Sequence, residues 1–251
     1  MRSNRLQLNS DKTEFMWCVP PLPVEQLTID GIPLPSVDAV RDLGVHLDSD
    51  MLMATHITQL VNSCFAALRQ IRSIRRSLPR SALSTLATSF IMTRVDYCNV
   101  VLAGLPQCEL QRLQTVVNAA ARLTAGAQKY DHVTPLLKDL HWLRVPERIT
   151  FKLCALAFRC LNNSAPQYLS ELLQPVADLG SRQRLRSSST FQLVVPCMRR
   201  STIGDRAFTV AAPRAWNSLP DSLHRLSSLE QFKKLLKTHL FKISFAQQDS
   251  F

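Results

Sequence analysis

The sequence predicts a mainly α-helical chain with a short β segment at its N-terminus, a helical bundle behind it and a basic, mostly helical C-terminal region. Three observations carry this. Apolar residues from Ile57 to Ile74 recur at the three- and four-residue spacing of a helix. Before residue 50 the chain shows short alternating runs separated by Pro and Asp-Gly, which suits strands and tight turns. Beyond Gly126, prolines at 135, 146, 166, 196, 213 and 220 cut the chain into short segments. These changes of pattern set the expected boundaries at 1–50, 51–128 and 129–251.

From the N-terminus, Leu27-Thr28-Ile29 ahead of Asp30-Gly31 reads as a hairpin, and Val40 to Leu47 reads as a further strand ending at Asp48-Ser49-Asp50. Ser49 or Asp50 is the expected cap of an amphipathic helix of about six turns, by the usual 3.6-residue repeat. Ile57, Leu60, Val61, Cys64, Leu68, Ile71 and Ile74 face inward along it, and it stops before Pro79. A second helix, 81–95, turns Leu83, Leu86, Phe90 and Ile91 inward. A third, 108–124, puts Leu110, Leu113, Val117, Ala120 and Thr124 on one face. A buried helix from Glu147 to about Leu161 comes next, then an exposed basic loop at about 178–190 and a short strand from Phe191 to Val195. Ser227-x-x-Glu230 is a capping-box pattern for a last helix with Phe232, Leu235, Leu236 and Leu240 inward and Lys233, Lys234 and Lys237 outward. Trp216, set between Ala211-Ala212-Pro213 and Leu219-Pro220, is expected to be buried with its indole N–H bonded to backbone.

Composition narrows the function classes. A hydrophobic content of 46% over 251 residues excludes wholesale disorder, and no apolar stretch approaches the roughly 20 residues needed to span a bilayer. No secretory leader pattern opens the chain, and the seven cysteines are scattered, most in apolar neighbourhoods, so an intracellular chain, cytoplasmic or nuclear and not secreted, with reduced core thiols is expected. There is no Cys-x-x-Cys, no glycine-rich phosphate loop, no serine-hydrolase elbow and no Asp-Asp dipeptide. Asp42, Asp48 and Asp50 are the densest carboxylates, and the position of the last two at a strand-to-helix junction suits capping. No catalytic residue, metal ligand or cofactor is expected.

Charge points elsewhere. Residues 1–60 hold four cations and eight acids, whereas 61–251 hold 26 cations and 11 acids, and 22 of all 30 cations are Arg. That asymmetry suits a phosphate backbone, since guanidinium groups pair with phosphate oxygens in two-pronged fashion. On the first helix Arg69, Arg72 and Arg76 fall opposite the apolar face. On the third, Gln111, Gln114, Asn118 and Arg122 line one stripe, a pattern that fits a nucleic-acid groove, a plain polar helix surface or a helix–helix hydrogen-bond seam. Arg182, Arg184 and Arg186 add a basic loop. These ten residues are the candidate nucleic-acid contacts.

Several ordered strings carry a resemblance. Asn4-Arg5-Leu6-Gln7-Leu8-Asn9 followed by Lys12-Thr13-Glu14 resembles the late palm motif of reverse transcriptases from animal non-LTR retrotransposons, the LINE elements of the jockey and chicken-repeat type. Arg41-Asp42-Leu43-Gly44-Val45, Leu47-Asp48, His56-Ile57 and Arg94-Val95-Asp96-Tyr97-Cys98-Asn99 resemble the family's run into and through the thumb. Leu113-Gln114 with Asn118-Ala119-Ala120-Ala121-Arg122 is similar to its thumb helix. Leu140-His141-Trp142-Leu143, Ala211-Ala212-Pro213, Trp216 to Pro220 and Phe232-Lys233-x-x-Leu236-Lys237-Thr238-His239-Leu240-Phe241 look like its C-terminal tail.

The resemblance implies a residual palm segment over 1–50, a helical thumb-like domain over 51–128 and a tail domain over 129–251. It implies RNA or an RNA–DNA duplex as partner, with thumb helices holding the primer–template. The family's polymerase site uses palm carboxylates, including an aromatic-x-Asp-Asp motif, to hold two magnesium ions upstream of the Asn-x-Lys-Thr segment. The chain here begins after that point, so the expectation is a truncated RNA-directed DNA polymerase that binds nucleic acid and does not polymerise on its own. Two other readings stay open: the C-terminal part of an active enzyme whose upstream half is missing from the gene model, and a helical scaffold for a protein partner. No membrane partner is expected.

Overall fold

Leu43 and Gly44, both at positive φ, make a tight two-residue turn ahead of the first long helix. The structure is a computed structural model that describes residues 9, 13–18, 28–29, 32–34, 36–178, 191–199 and 201–246. Two compact units divide at Leu60–Val61: residues 1–60 and residues 61–251. The exposed basic loop and its Arg182, Arg184 and Arg186 lie outside the described residues, as do Asn4 to Leu8, Lys12 and the Asp30-Gly31 turn.

In the first unit, β1 (Thr28–Ile29) pairs antiparallel with β2 (Ile32–Pro33), Ile29 opposite Ile32. The single strand expected over 40–47 is two strands, β3 (Ala39–Asp42) and β4 (Val45–Asp48), paired with Asp42 opposite Val45. The two-residue turn between them needs positive φ at both positions, supplied by Leu43 at 44° and Gly44 at 85°. Leucine is a poor turn residue, which is why the pattern looked continuous. Helix α1 (Ala54–Ile74) comes after β4. Its entry is held by Asp48, whose Oδ2 accepts the Thr55 N–H at 3.1 Å, while Asp50 Oδ1 accepts the Leu52 N–H at 2.9 Å. The cap expected at Ser49 or Asp50 is thus supplied from one residue earlier. These carboxylates serve the chain's turn into the helix.

In the second unit, α1 gives way to a 3-10 turn at Arg75–Ser77, and α2 (Arg80–Ala87) runs through a π turn at Thr88–Met92 into α3 (Thr93–Asp96). Leu83, Ala87, Ile91, Met92 and Val95 are buried, while Phe90, expected inside, sits within the wider turn, which shifts the helix phase, and is 47% exposed. After a 3-10 turn at Asn99–Leu102 come α4 (Gln107–Ala125), α5 (Val133–Asp139) and α6 (Val145–Leu161). Further on are α7 (Gln167–Ser170), α8 (Ser201–Gly204), α9 (Phe208–Asn217), α10 (Asp221–His224) and α11 (Leu229–Ala246). The strand expected over 191–195 is only a bridge, Leu193 against Pro175.

Helix α6 is the hub, packed against α4, α9 and α11. Its small residues Cys154, Ala155, Ala157 and Cys160 let neighbours approach from several sides, and Phe158 stacks on Phe232 of α11 with ring centroids 4.4 Å apart. Trp216 on α9 is 2% exposed and its Nε1 donates to the Phe191 carbonyl at 2.8 Å, as expected. Phe232, Leu236 and Leu240 are buried, but Leu235 and, on α1, Ile74 are about half exposed because no described helix covers those positions. Residues on both sides of position 128 share this one compact unit.

Seven free cysteines are present, of which Cys64, Cys154 and Cys160 are buried and Cys18, Cys108 and Cys197 are exposed. Burial pushes all three inner thiols up, Cys154 to about 12, so none of them offers a thiolate near neutral pH. Among the described residues no helix is long and apolar enough to cross a membrane.

Candidate nucleic-acid interface

Between Asp50 and Asp96 the chain has six arginines and no acid, so every charged side chain that α1 and α2 show to solvent is an arginine. The last turns of α1 bring Arg69 and Arg72 to a cleft of about 590 Å³ whose other wall is the C-terminal end of α4. Five cations line it: Arg69, Arg72, Arg75, Arg122 and Lys129. No carboxylate lines it, and among the described residues none of the five is in an ion pair. The floor is apolar, formed by Phe65, Leu68, Ala119 and Leu123.

Arg75 belongs to this set and Arg76 does not. On a continued α-helix, at about 100° per residue, Arg76 would fall near the middle of the Arg69–Arg72 face and Arg75 roughly 90° from it. The helix instead tightens at Ile74 into a 3-10 turn, where residues i and i+3 eclipse, so Arg75 stacks in register with Arg72. The Arg75 guanidinium then lies against Gly126, where an added Cβ would meet Nη2 at 2.8 Å. Gly126, at φ 78°, is the left-handed residue that ends α4.

Arg122 is partly committed. Its Nε and Nη2 both donate to the Asp131 carbonyl, at 3.2 and 3.1 Å, and the Asp131 carboxylate accepts the Gln128 N–H at 2.7 Å. This ties the loop after α4 into a fixed rim. Tyr130 stands on that rim, 86% exposed, with the Lys129 ammonium 5.4 Å from its ring centre. Neither Arg75, Lys129 nor Tyr130 was among the expected contacts: Arg75 is out of phase for an α-helix, and the other two sit in a loop with no periodicity to read.

The glutamine stripe on α4 is largely withdrawn. Gln114 is buried; its Nε2 donates to Asn118 Oδ1 at 2.8 Å and its Oε1 accepts the Val145 N–H at 2.9 Å. Val145 opens α6, where the first N–H groups have no partner within the helix, and Arg144 before it makes no side-chain cap. Gln114 therefore closes a helix–helix seam, one of the readings its position allowed. Gln111, Gln114 and Asn118 line a separate concavity with Arg144 and Glu147, and only Arg122 of that stripe reaches the arginine cleft.

Electrostatics favours an anionic occupant. Five like charges make about ten pairs, and at an assumed ~10 Å in water each costs ~0.4 kcal/mol before salt screening. The negative end of α4 offsets part of this, at ~0.3–1 kcal/mol per nearby cation. A line of phosphates would relieve the rest. Among the described residues, no group of three or more His, Cys, Asp or Glu is placed to hold a metal ion. Comparison with protein-family models, with curated proteins and with solved structures finds no match to this chain.

Proposed function

We propose that this chain binds RNA or an RNA–DNA duplex without sequence preference, through the arginine cleft between α1 and α4. The observation that carries the reading is the convergence of Arg69, Arg72, Arg75, Arg122 and Lys129 on one cleft with no lining acid. Phosphate contacts of this kind position a backbone and read no bases. The exposed ring of Tyr130 at the rim suits stacking on an unpaired base. The resemblance to the thumb and tail of LINE-type reverse transcriptases supports the same partner class, and we read the chain as that part of such an enzyme, without polymerase activity of its own. Magnesium belongs to the complete family enzyme in this reading.

The test is fluorescence anisotropy with a labelled RNA–DNA hybrid at low ionic strength. The Arg69→Gln, Arg72→Gln and Arg75→Gln triple variant weakens binding by at least roughly tenfold, as expected for the loss of several charge-assisted contacts. Equal affinity for wild type and variant overturns the assignment.

A further inference from the structure

A second cleft, independent of the arginine cleft, carries unmet hydrogen-bonding demand. It has a volume of about 430 Å³ and lies where α3, the 3-10 turn after it, the Leu140–Leu143 segment, α6 and α11 meet. Three strings far apart in the sequence, Arg94 to Asn99, Leu140 to Leu143 and Phe232 to Phe241, all contribute to it.

Arg148 organises the depth of this cleft. Its Nη1 donates to Asp96 Oδ2 at 2.8 Å and its Nε donates to the Leu143 carbonyl at 2.8 Å, which fixes the carboxylate in one orientation. Asp96 Oδ1 is buried with no hydrogen-bond partner, and so is Oδ1 of Asn99, a residue only 3% exposed. A buried acceptor left unsatisfied costs ~1–3 kcal/mol. Both residues line the cleft, so a small turn of either side chain toward it would let a ligand that donates N–H or O–H groups satisfy them. The walls include Trp142, Leu143 and Phe151, which suit a flat, weakly polar ring. At the mouth stand His141, Lys152 and Lys237, all exposed and able to meet an anion. Cys98 and His141, beside the cleft, hold φ near 50°, backbone that favours glycine.

We propose that this cleft binds one nucleotide unit, its base amino or ribose hydroxyl groups donating to Asp96 Oδ1 and Asn99 Oδ1 and its phosphate lying between Lys152 and Lys237. A volume of this size fits the small-ligand range, with apolar walls and a few placed polar groups. A shallower groove lined by Arg80, Ser84, Lys138 and one acid, Asp139, shares Leu140 and His141 with the cleft, and gives a strand a path outward from the bound unit. The unit is therefore either a free nucleoside phosphate or the end of an RNA strand.

The experiment is calorimetric titration of the full chain with adenosine 5′-monophosphate, inorganic phosphate, adenosine and a short single-stranded RNA. The monophosphate binds saturably, and phosphate or adenosine alone binds at least about tenfold more weakly, since each lacks half of the contacts. Lys152→Gln with Lys237→Gln weakens the monophosphate about tenfold without changing the melting temperature, both side chains being exposed. Asp96→Asn, which keeps an oxygen for Arg148 and sets an N–H where the free acceptor stood, weakens the monophosphate and leaves inorganic phosphate unaffected. Tighter binding of the short RNA identifies a strand end as the source; equal binding identifies the free nucleotide. Absence of saturable monophosphate binding, or indifference to the lysine pair, overturns the proposal. A failure of the arginine-cleft reading shows separately, as unchanged affinity for the long hybrid in its triple arginine variant.

Discussion

Gln111 and Gln114 share one helix face and one residue type, and the structure gives them opposite fates. Gln114→Ala removes the acceptor of the Val145 N–H in a buried seam and should cost about 1–3 kcal/mol, whereas exposed Gln111→Ala should stay within about 0.5 kcal/mol. Denaturant melts of the two variants check this, and equal losses would contradict it. Trp216→Ala opens a hole beside Phe158, Phe232 and His224 and should cost ~3–5 kcal/mol. Hybrid binding by that variant should fall only as its folded fraction does; a normal melt with lost affinity would make Trp216 a contact residue. His56 links the first unit to pH. Burial is the main cause that lowers its pKa below 6.5; the neighbouring His46 adds to the shift and Asp48 opposes it. The unfolded chain then takes up the proton first, so stability is complete above about pH 6.5 and declines as pH falls from there towards the lowered folded value. Thermal melts from neutral to mildly acid pH should show a steeper decline for wild type than for His56→Gln.

At the scale of elements, long helices were legible and their ends were not. Helix α6 reads from its apolar residues on most sides, and it is the buried hub. Helix α1 reads from Ile57, Cys64, Leu68 and Ile71, but its 3.6-residue period chose Arg76 where the tightened last turn presents Arg75. The π turn at Thr88–Met92 similarly turned Phe90 outward without any glycine or proline to announce it. The hairpin at Leu43-Gly44 was missed because a leucine at positive φ is not a turn signal. Each error is a local change of period, which a repeat fitted over a dozen residues averages away.

For the whole molecule, the concentration of positive charge after residue 60 was readable at once, and so was its arginine bias. The cleft was not, because it depends on the last turns of α1 and α4 coming to line one concavity, a long-range arrangement that periodicity does not encode. Polymerase activity offers an independent check on the larger reading. The chain contains no Asp-Asp pair, and Asp48 and Asp50 already accept backbone N–H groups at the entry of α1. Purified protein should therefore give no template-directed primer extension with magnesium or manganese; extension abolished by Asp48→Ala and Asp50→Ala would recast both as metal ligands.

The most direct test of the arginine cleft is the salt dependence of hybrid binding. Each phosphate neutralised by a cation releases condensed counterions, giving a slope of log affinity against log salt of about −0.9 per contact on a duplex. If Arg69, Arg72 and Arg75 each meet a phosphate, replacing all three by Gln should flatten that slope by ~2 to 3 units, with the melting temperature unchanged. A slope that stays the same would show that these three arginines face only water.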